Sequence, residues 1–295
     1  MKLLTILITT GLCSLRCFSQ TDNSENKTGI PVAATTDTTE TKASLTLGIT
    51  YSNDASYYGQ RAQEKNPYIA AGATYRFKSG IYISGLAYRL LNDTGAFVSA
   101  SNIGGGIAFK VSKKLSADLG YNHTFYPSYS PLLQASSPDN ASAGLTYENW
   151  LTTSATLDLA FGKTTDLFFT LGISKQLSLG SIGKKDVITL TPGFDVVAGT
   201  QHFYQSYITE KKLRDSLLGV LVPPIFGQPP AEDNITTTTT TKVNLLSYNF
   251  KFPLAYNRTN YMLEASYQLS ILSKDAETGA GSANSFLSVS FYYQF

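Results

Sequence analysis

From Ala43 onward, apolar and polar residues alternate along one stretch of chain after another. Leu45, Leu47, Ile49 and Tyr51 interleave with Ser44, Thr46, Gly48 and Thr50. Leu115, Ala117, Leu119 and Tyr121 interleave with Ser116, Asp118, Gly120 and Asn122, and Tyr261, Leu263, Ala265, Tyr267, Leu269 and Ile271 with Glu264, Ser266, Gln268 and Ser270. A period of two places one set on each face of a sheet. Segments of about ten residues or more are long enough to cross a bilayer as tilted strands. Spans are expected near 43–52, 67–77, 81–91, 97–111, 115–126, 145–161, 165–178, 186–198, 243–256, 261–272 and 285–295.

The connections sort by length. Short turns are expected at Lys78-Ser79-Gly80, Ser112-Lys113-Lys114, Gly162-Lys163-Thr164 and Asn257-Arg258-Thr259-Asn260. Longer polar loops are expected at about 53–66, 127–141 and 273–284. Short turns on one side and long loops on the other suit a membrane-spanning barrel, with the short ones periplasmic. Such a barrel needs an even strand number, and the spans above are odd in number. Gln201–Ile208, after a Gly199-Thr200 turn, is the expected missing strand. The fold class is therefore all-β, a transmembrane antiparallel barrel of about 12 strands, with 10 as the alternative. The insertion at about 209–242 holds a helix candidate, Glu210 to Leu218, two Pro-Pro pairs and a Thr run. With 12 strands it is extracellular; with 10 it is periplasmic.

Composition sharpens this picture. Hydrophobic residues are 42% and charged residues 15%, below the roughly 25% of an average soluble domain, with 19 Tyr, 16 Phe and a single Trp. A soluble β-sandwich shares some of these traits, but the N-terminus separates the two. Lys2 followed by the apolar run Leu3–Cys13 and then Cys17-Phe18-Ser19-Gln20 reads as a secretory signal peptide over 1–19, too short to span a bilayer. Residues 20–42, rich in Thr, Asn, Glu and Asp, read as a disordered leader, and the barrel occupies 43–295. Cys13 and Cys17 both lie in the signal segment, and neither has the small preceding residues of a lipidation site. The mature chain then has no thiol chemistry. Losing Lys2 and Arg16 from the 23 Lys and Arg leaves as many bases as the 21 Asp and Glu, so nothing electrostatic points to nucleic acid.

Aromatics at Tyr51, Tyr75, Phe77, Phe109, Phe125, Phe161, Tyr256, Tyr261 and Tyr293 fall near strand ends, the heights at which an amphipathic ring meets the headgroups. The last stretch, Phe286 to Phe295, alternates and ends in an aromatic. It resembles the closing strand of bacterial outer-membrane β-barrels, with Leu287, Val289, Phe291, Tyr293 and Phe295 at the matching positions. Gln20 as the mature N-terminus makes the resemblance closest to barrels of the Bacteroidota type. The resemblance implies a location in the bacterial outer membrane, contact with its lipid, and recognition of those five residues by the barrel-assembly machinery. It implies no substrate.

If the apolar faces meet lipid, the opposite faces line the lumen. That set includes Arg76, Lys110, Asp118, Asp158, Asp195, Lys251 and Glu264, since charge on the lipid face at mid-membrane is costly. Across the 112–114 turn, Asp118 is expected to face Ala108 and lie diagonal to Lys110. Across 257–260, Glu264 is expected to face Pro253 and lie diagonal to Lys251. These charges are either a selective constriction or salt bridges filling a narrow lumen. Arg89 has no settled direction. Gly104-Gly105-Gly106 lies inside a strand and marks a bend or close packing.

The leading expectation is a barrel passing small polar solutes. The alternative is a structural or partner-binding barrel acting through ligand contacts at its extracellular loops. A membrane-embedded lipid hydrolase or acyltransferase is the third. His123 and His202 are its only imidazoles, and neither has a serine two residues on, so no enzyme is expected and His123 reads as an aromatic-belt residue. Two separated histidines and no thiols give no metal site, and no cofactor is expected.

Overall fold

The computed structural model describes residues 43–92, 97–127, 130–204, 206, 242–276 and 283–295. The expected signal peptide, the leader and all but the last residue of the 209–242 insertion, its helix candidate included, lie outside them. The strands are β1 (Ser44–Ser52), β2 (Tyr68–Arg76), β3 (Ile81–Leu90), β4 (Ala100–Lys110), β5 (Leu115–Phe125), β6 (Asp139–Glu148), β7 (Thr152–Phe161), β8 (Asp166–Ser174), β9 (Leu177–Gly180), β10 (Asp186–Leu190), β11 (Gly193–Gly199), β12 (Asn244–Arg258), β13 (Tyr261–Leu272) and β14 (Ala283–Gln294).

Each strand pairs antiparallel with its neighbours, and β14 returns to β1, with Leu47 opposite Tyr293 and Tyr51 opposite Val289. Four of these segments are halves of longer strands. β8 pairs with β11 and β9 with β10, while β12 pairs with both β11 and β10. The interruption between β10 and β11 is Thr191-Pro192, where proline cannot donate to the ladder. Lys175 N donates to Pro192 O at 3.0 Å and Thr191 N to Pro253 O at 2.9 Å, so the ladder carries across. The wall is a closed antiparallel barrel of 12 strands. Closure leaves no open edge, which is what a sheet crossing lipid requires.

Burial is inverted relative to a soluble protein. Leu47, Ile49, Ile83, Ile103, Leu119, Leu157, Leu171, Leu263, Leu287 and Val289 are exposed, while Thr46, Thr74, Asn102, Thr146, Asn249, Gln268 and Ser290 are buried. The alternation that the sequence displays therefore turns its apolar set outward and its polar set inward. Only a bilayer can accept such an outer face, and this is the architecture of an outer-membrane β-barrel. Among the described residues no helix is long and apolar enough to cross a membrane; the crossing is made by strands.

The strand number agrees with expectation, but the strand that completes it is a different one. Residues 145–161, expected as a single span, belong to β6 and β7, joined at 149–151. The described residues of Gln201–Ile208 form no strand: His202, Phe203 and Tyr204 are helical. The 162–164 turn also changes ends. It links β7 to β8 on the same end as the 53–67, 126–138 and 273–282 connections, and the short-turn end comprises 77–80, 111–114, 149–151, 181–185 and 259–260. β11 and β12, which flank the insertion, both meet it at the long-loop end.

Candidate functional site

Every charged residue expected in the lumen lies on the inward parity of its strand, but the structure does not gather them into one cluster. Arg76 and Lys110 sit at the short-turn rim. The Arg76 guanidinium donates to Gly80 O at 3.4 Å and lies 5.1 Å from the centre of the Tyr82 ring; Lys110 is exposed. Asp118 stands opposite Ala108, as the 112–114 turn dictates, and Asp158 opposite Ser142 and Phe168; both carboxylates are buried. Asp195 and Lys251 form an ion pair between β11 and β12, with side chains 14% and 5% exposed.

Glu264 departs from the expected register. It faces Ala255, not Pro253, because the β12–β13 turn consists only of Thr259-Asn260 and both strands run on to Arg258 and Tyr261. That moves it two residues further from Lys251, which stands opposite Gln268. Its side chain is 7% exposed. Arg89 points outward, donating to Phe97 O at 3.1 Å with the Phe97 ring 5.2 Å away. Of the five closing-strand residues, Leu287, Val289 and Phe291 face outward from β14, half-buried Tyr293 shares their parity opposite Leu47, and Phe295, one residue past the strand, is exposed.

The remaining inner wall is neutral and polar. Thr50 Oγ1 and Ser290 Oγ are 2.9 Å apart, and Asn102 Nδ2 donates to Asn122 Oδ1 at 3.1 Å and to Thr124 Oγ1 at 2.9 Å. Gln268 Nε2 donates to Ser270 Oγ at 2.8 Å. The hydroxyls of Thr46, Thr74, Thr170 and Ser266 and the Gln268 carbonyl oxygen are buried without a protein partner.

At the long-loop end one connection turns inward. The 53–67 loop is not simply a polar surface loop: its tip, Tyr57-Tyr58-Gly59-Gln60, is a two-residue hairpin turned into the barrel. Tyr57 N donates to Gln60 O at 2.8 Å and Gln60 N to Tyr57 O at 3.0 Å, and Tyr58 and Gly59 have φ of 53° and 84°. Positive φ at both central positions defines a type I′ turn. Gly59 is needed twice over, because a Cβ there would lie 2.5 Å from Asn249 Oδ1 and 2.7 Å from Ser247 Oγ on the inner face of β12. The wall holds the tip through Ser247 Oγ, donating to Tyr58 O at 2.8 Å, and Asn284 Nδ2, donating to Gly59 O at 3.1 Å.

Around the tip a small apolar core packs: Tyr57, Tyr58, Ala62, Leu133, Ala160, Phe168, Val197, Phe203 and Leu246. Phe203 is placed there by Asp166. This buried carboxylate accepts the backbone N–H of His202 and of Phe203, each at 2.8 Å, and the Thr200 hydroxyl at 2.7 Å. A carboxylate at that position caps a helical turn, which is why 201–204 leaves the strand conformation. Sequence reading missed Asp166 and the Tyr57–Gln60 tip. The signal for the tip was two adjacent tyrosines and a glycine inside an otherwise polar loop.

A second cluster lies on the outer face near the long-loop end. Asp139 Oδ1 accepts from Tyr121 Oη at 2.5 Å and is 2.7 Å from His123 Nδ1, and the His123 ring meets Phe125 edge-on with centroids 4.6 Å apart. His123 is thus a belt residue with an acidic partner, which sequence reading did not assign.

No protein-family model and no curated protein matches this sequence. Solved structures of similar shape include the KdgM porin (TM-score 0.46, 9% identity, covering 85% of this chain and 99% of that one), the NanC porin (TM-score 0.43, 9% identity, 84% and 98%) and LpxR from Salmonella typhimurium (TM-score 0.45, 8% identity, 84% and 99%). None of these likenesses bears on what this chain carries.

Proposed function

We propose that this chain is a bacterial outer-membrane barrel that passes small polar solutes through a polar, hydroxyl-rich lumen, with the Tyr57–Gln60 hairpin as the gate at its extracellular mouth. The observation that carries this reading is the set of inner-wall oxygens without protein partners, on Thr46, Thr74, Thr170, Ser266 and Gln268. Leaving such a group unsatisfied costs about 1–3 kcal/mol, so they favour an interior that takes up water or a hydroxylated solute over one packed solid. The gate fits the same picture, because its tip is held by a few hydrogen bonds and ring contacts and not by the barrel ladder. The outward residues of β14 and the aromatic girdles are the surfaces that the assembly machinery and outer-membrane lipid would meet.

The test is ion conductance and liposome swelling with refolded protein, as wild type and as Gly59→Val, which removes the close approach of the tip to β12. The wild type should open intermittently and Gly59→Val should stay open longer. If both fold to the heat-modifiable form and neither conducts, the reading fails.

The His123–Asp139 contact favours a second reading, lipid hydrolysis at the outer rim. The carboxylate orients the imidazole as a general base needs. Among the described residues no hydroxyl nucleophile hydrogen-bonds His123, which makes this the weaker reading. Turnover of outer-leaflet lipid that is lost in His123→Ala and Asp139→Asn would support it; equal turnover in both variants and wild type would remove it.

A further inference from the structure

The inner-wall charges differ in how they are compensated. Lys251 and Asp195 neutralise each other. Arg76 is engaged with Gly80 O and Tyr82 at the rim, and Lys110 is in water there. Asp118 and Asp158 have interacting neighbours. Glu264 stands apart: it is 7% exposed, and among the described residues no cation pairs with it and no donor hydrogen-bonds its carboxylate. An ionisable group inside a membrane-spanning segment without a structural partner is most economically explained by what it binds.

Its surroundings say what that is. The positions flanking Glu264 across the ladder are Ala255 on β12 and Ser290 on β14, and Thr50 on β1 follows beyond Ser290. Ser266, the next inward residue on β13, has a buried hydroxyl without a protein partner. A carboxylate beside hydroxyl oxygens is a set of hard oxygen donors. Such a wall replaces part of the hydration of a small cation and repels anions.

Resting on the reading of the chain as a permeation barrel, we infer that Glu264, with the hydroxyls of Ser266, Ser290 and Thr50, makes the lumen selective for small monovalent cations. Alkali ions and protonated amines share the chemistry that this wall recognises. Neutral polar solutes pass the same wall without the advantage that the carboxylate gives a cation.

Reversal potentials across a KCl gradient, measured in planar bilayers on the Gly59→Val barrel, test this. The expected potassium-to-chloride permeability ratio is about three or more, falling to about one in Gly59→Val/Glu264→Gln and retained in Gly59→Val/Glu264→Asp. Replacing KCl by methylammonium chloride should preserve the sign of the potential. A barrel that conducts but prefers chloride, or whose ratio is the same with Gln at 264, overturns the assignment of Glu264 and leaves the permeation reading standing. Absence of conductance from a folded Gly59→Val barrel overturns both. If the Gln variant does not fold, the sign of the reversal potential of the Gly59→Val barrel still decides.

Discussion

Tyr58 of the inward loop stacks on Phe168 of the barrel wall, with ring centroids 3.8 Å apart and planes 16° from parallel. Both side chains are fully buried, and Tyr57 and Phe203 meet Phe168 edge-on or tilted at 5.5 and 5.9 Å. The contact joins a mobile kind of element, a loop, to a rigid one, so its loss should act on the loop first. Phe168→Ala is expected to cost about 3–5 kcal/mol of packing. The readout is trypsin cleavage after Arg61 at neutral pH in intact proteoliposomes. Cleavage should be faster than in the wild type while the barrel stays heat-modifiable, and unchanged cleavage would show that the stack does not hold the loop.

The Asp195–Lys251 pair predicts a non-additive pair of mutations. Removing one partner of a buried ion pair strands the other, at about 3–5 kcal/mol, whereas replacing both is often close to neutral. Lys251→Met alone should lower the urea midpoint for unfolding from vesicles substantially. Adding Asp195→Asn should restore most of it. Equal midpoints for the single and double variants would mean that the pair is solvated and contributes little.

Asp54 gives the gate a pH dependence. Burial pushes its carboxyl above the ordinary 3.8, partly offset by N–H bonds from Asn66 and Ala55 and by Arg61 nearby. A raised folded pKa means that the docked loop holds its proton more tightly than the released loop. Docking is therefore strongest below 3.8 and weakens as pH rises from there through the raised value. Closed dwell times in bilayer recordings should shorten as pH rises above 3.8. Asp54→Asn keeps an acceptor for both N–H groups and should abolish that trend; a trend that survives it belongs to another group.

The barrel was legible in the sequence because a period of two is a purely local property, and the outward residues of β1 to β8, β13 and β14 obey it; only bulges interrupt it, as where Val197 stands opposite Ser247 but Ala198 opposite Leu245. Strand boundaries were less legible for a physical reason. The β6–β7 turn has three residues, so the outward positions are odd-numbered on both sides of it, Leu145 and Tyr147 before and Leu157 and Leu159 after. Two antiparallel strands then read as one uninterrupted alternation. The aromatic His202-Phe203-Tyr204 has strand-like composition, and only the Asp166 carboxylate, distant in sequence, makes it helical. The inner-wall charges could be listed from parity, but their pairing could not. Whether Lys251 meets Glu264 or Asp195 depends on the length of one turn and on which strand lies on its other side.

The glycine run in β4 yields the last prediction. Tyr82 on β3 is 4% exposed and lies across the inner faces of Gly106 and Gly120. A Cβ at Gly106 would be 2.6 Å from Tyr82 Oη, 2.7 Å from Tyr82 Cζ and 2.3 Å from Leu119 O; at Gly120 it would be 2.9 Å from Tyr82 Oη. The ring can move, but the Leu119 carbonyl belongs to the ladder and cannot without breaking β4–β5 pairing. Gly106→Ala should therefore destabilise the barrel by about 1–3 kcal/mol of overpacking. Tyr82→Phe in the same chain should not rescue it, since the ring carbon and the carbonyl remain in the way. Gly85 provides the control, because a Cβ there meets nothing nearer than Asn102 O at 3.9 Å. Gly85→Ala, on the outer face, should leave the urea midpoint unchanged or raise it slightly, because glycine in a strand is itself unfavourable. If Gly106→Ala and Gly85→Ala refold with equal yields and equal midpoints, the packing of Tyr82 over Gly106 is not what these glycines are for.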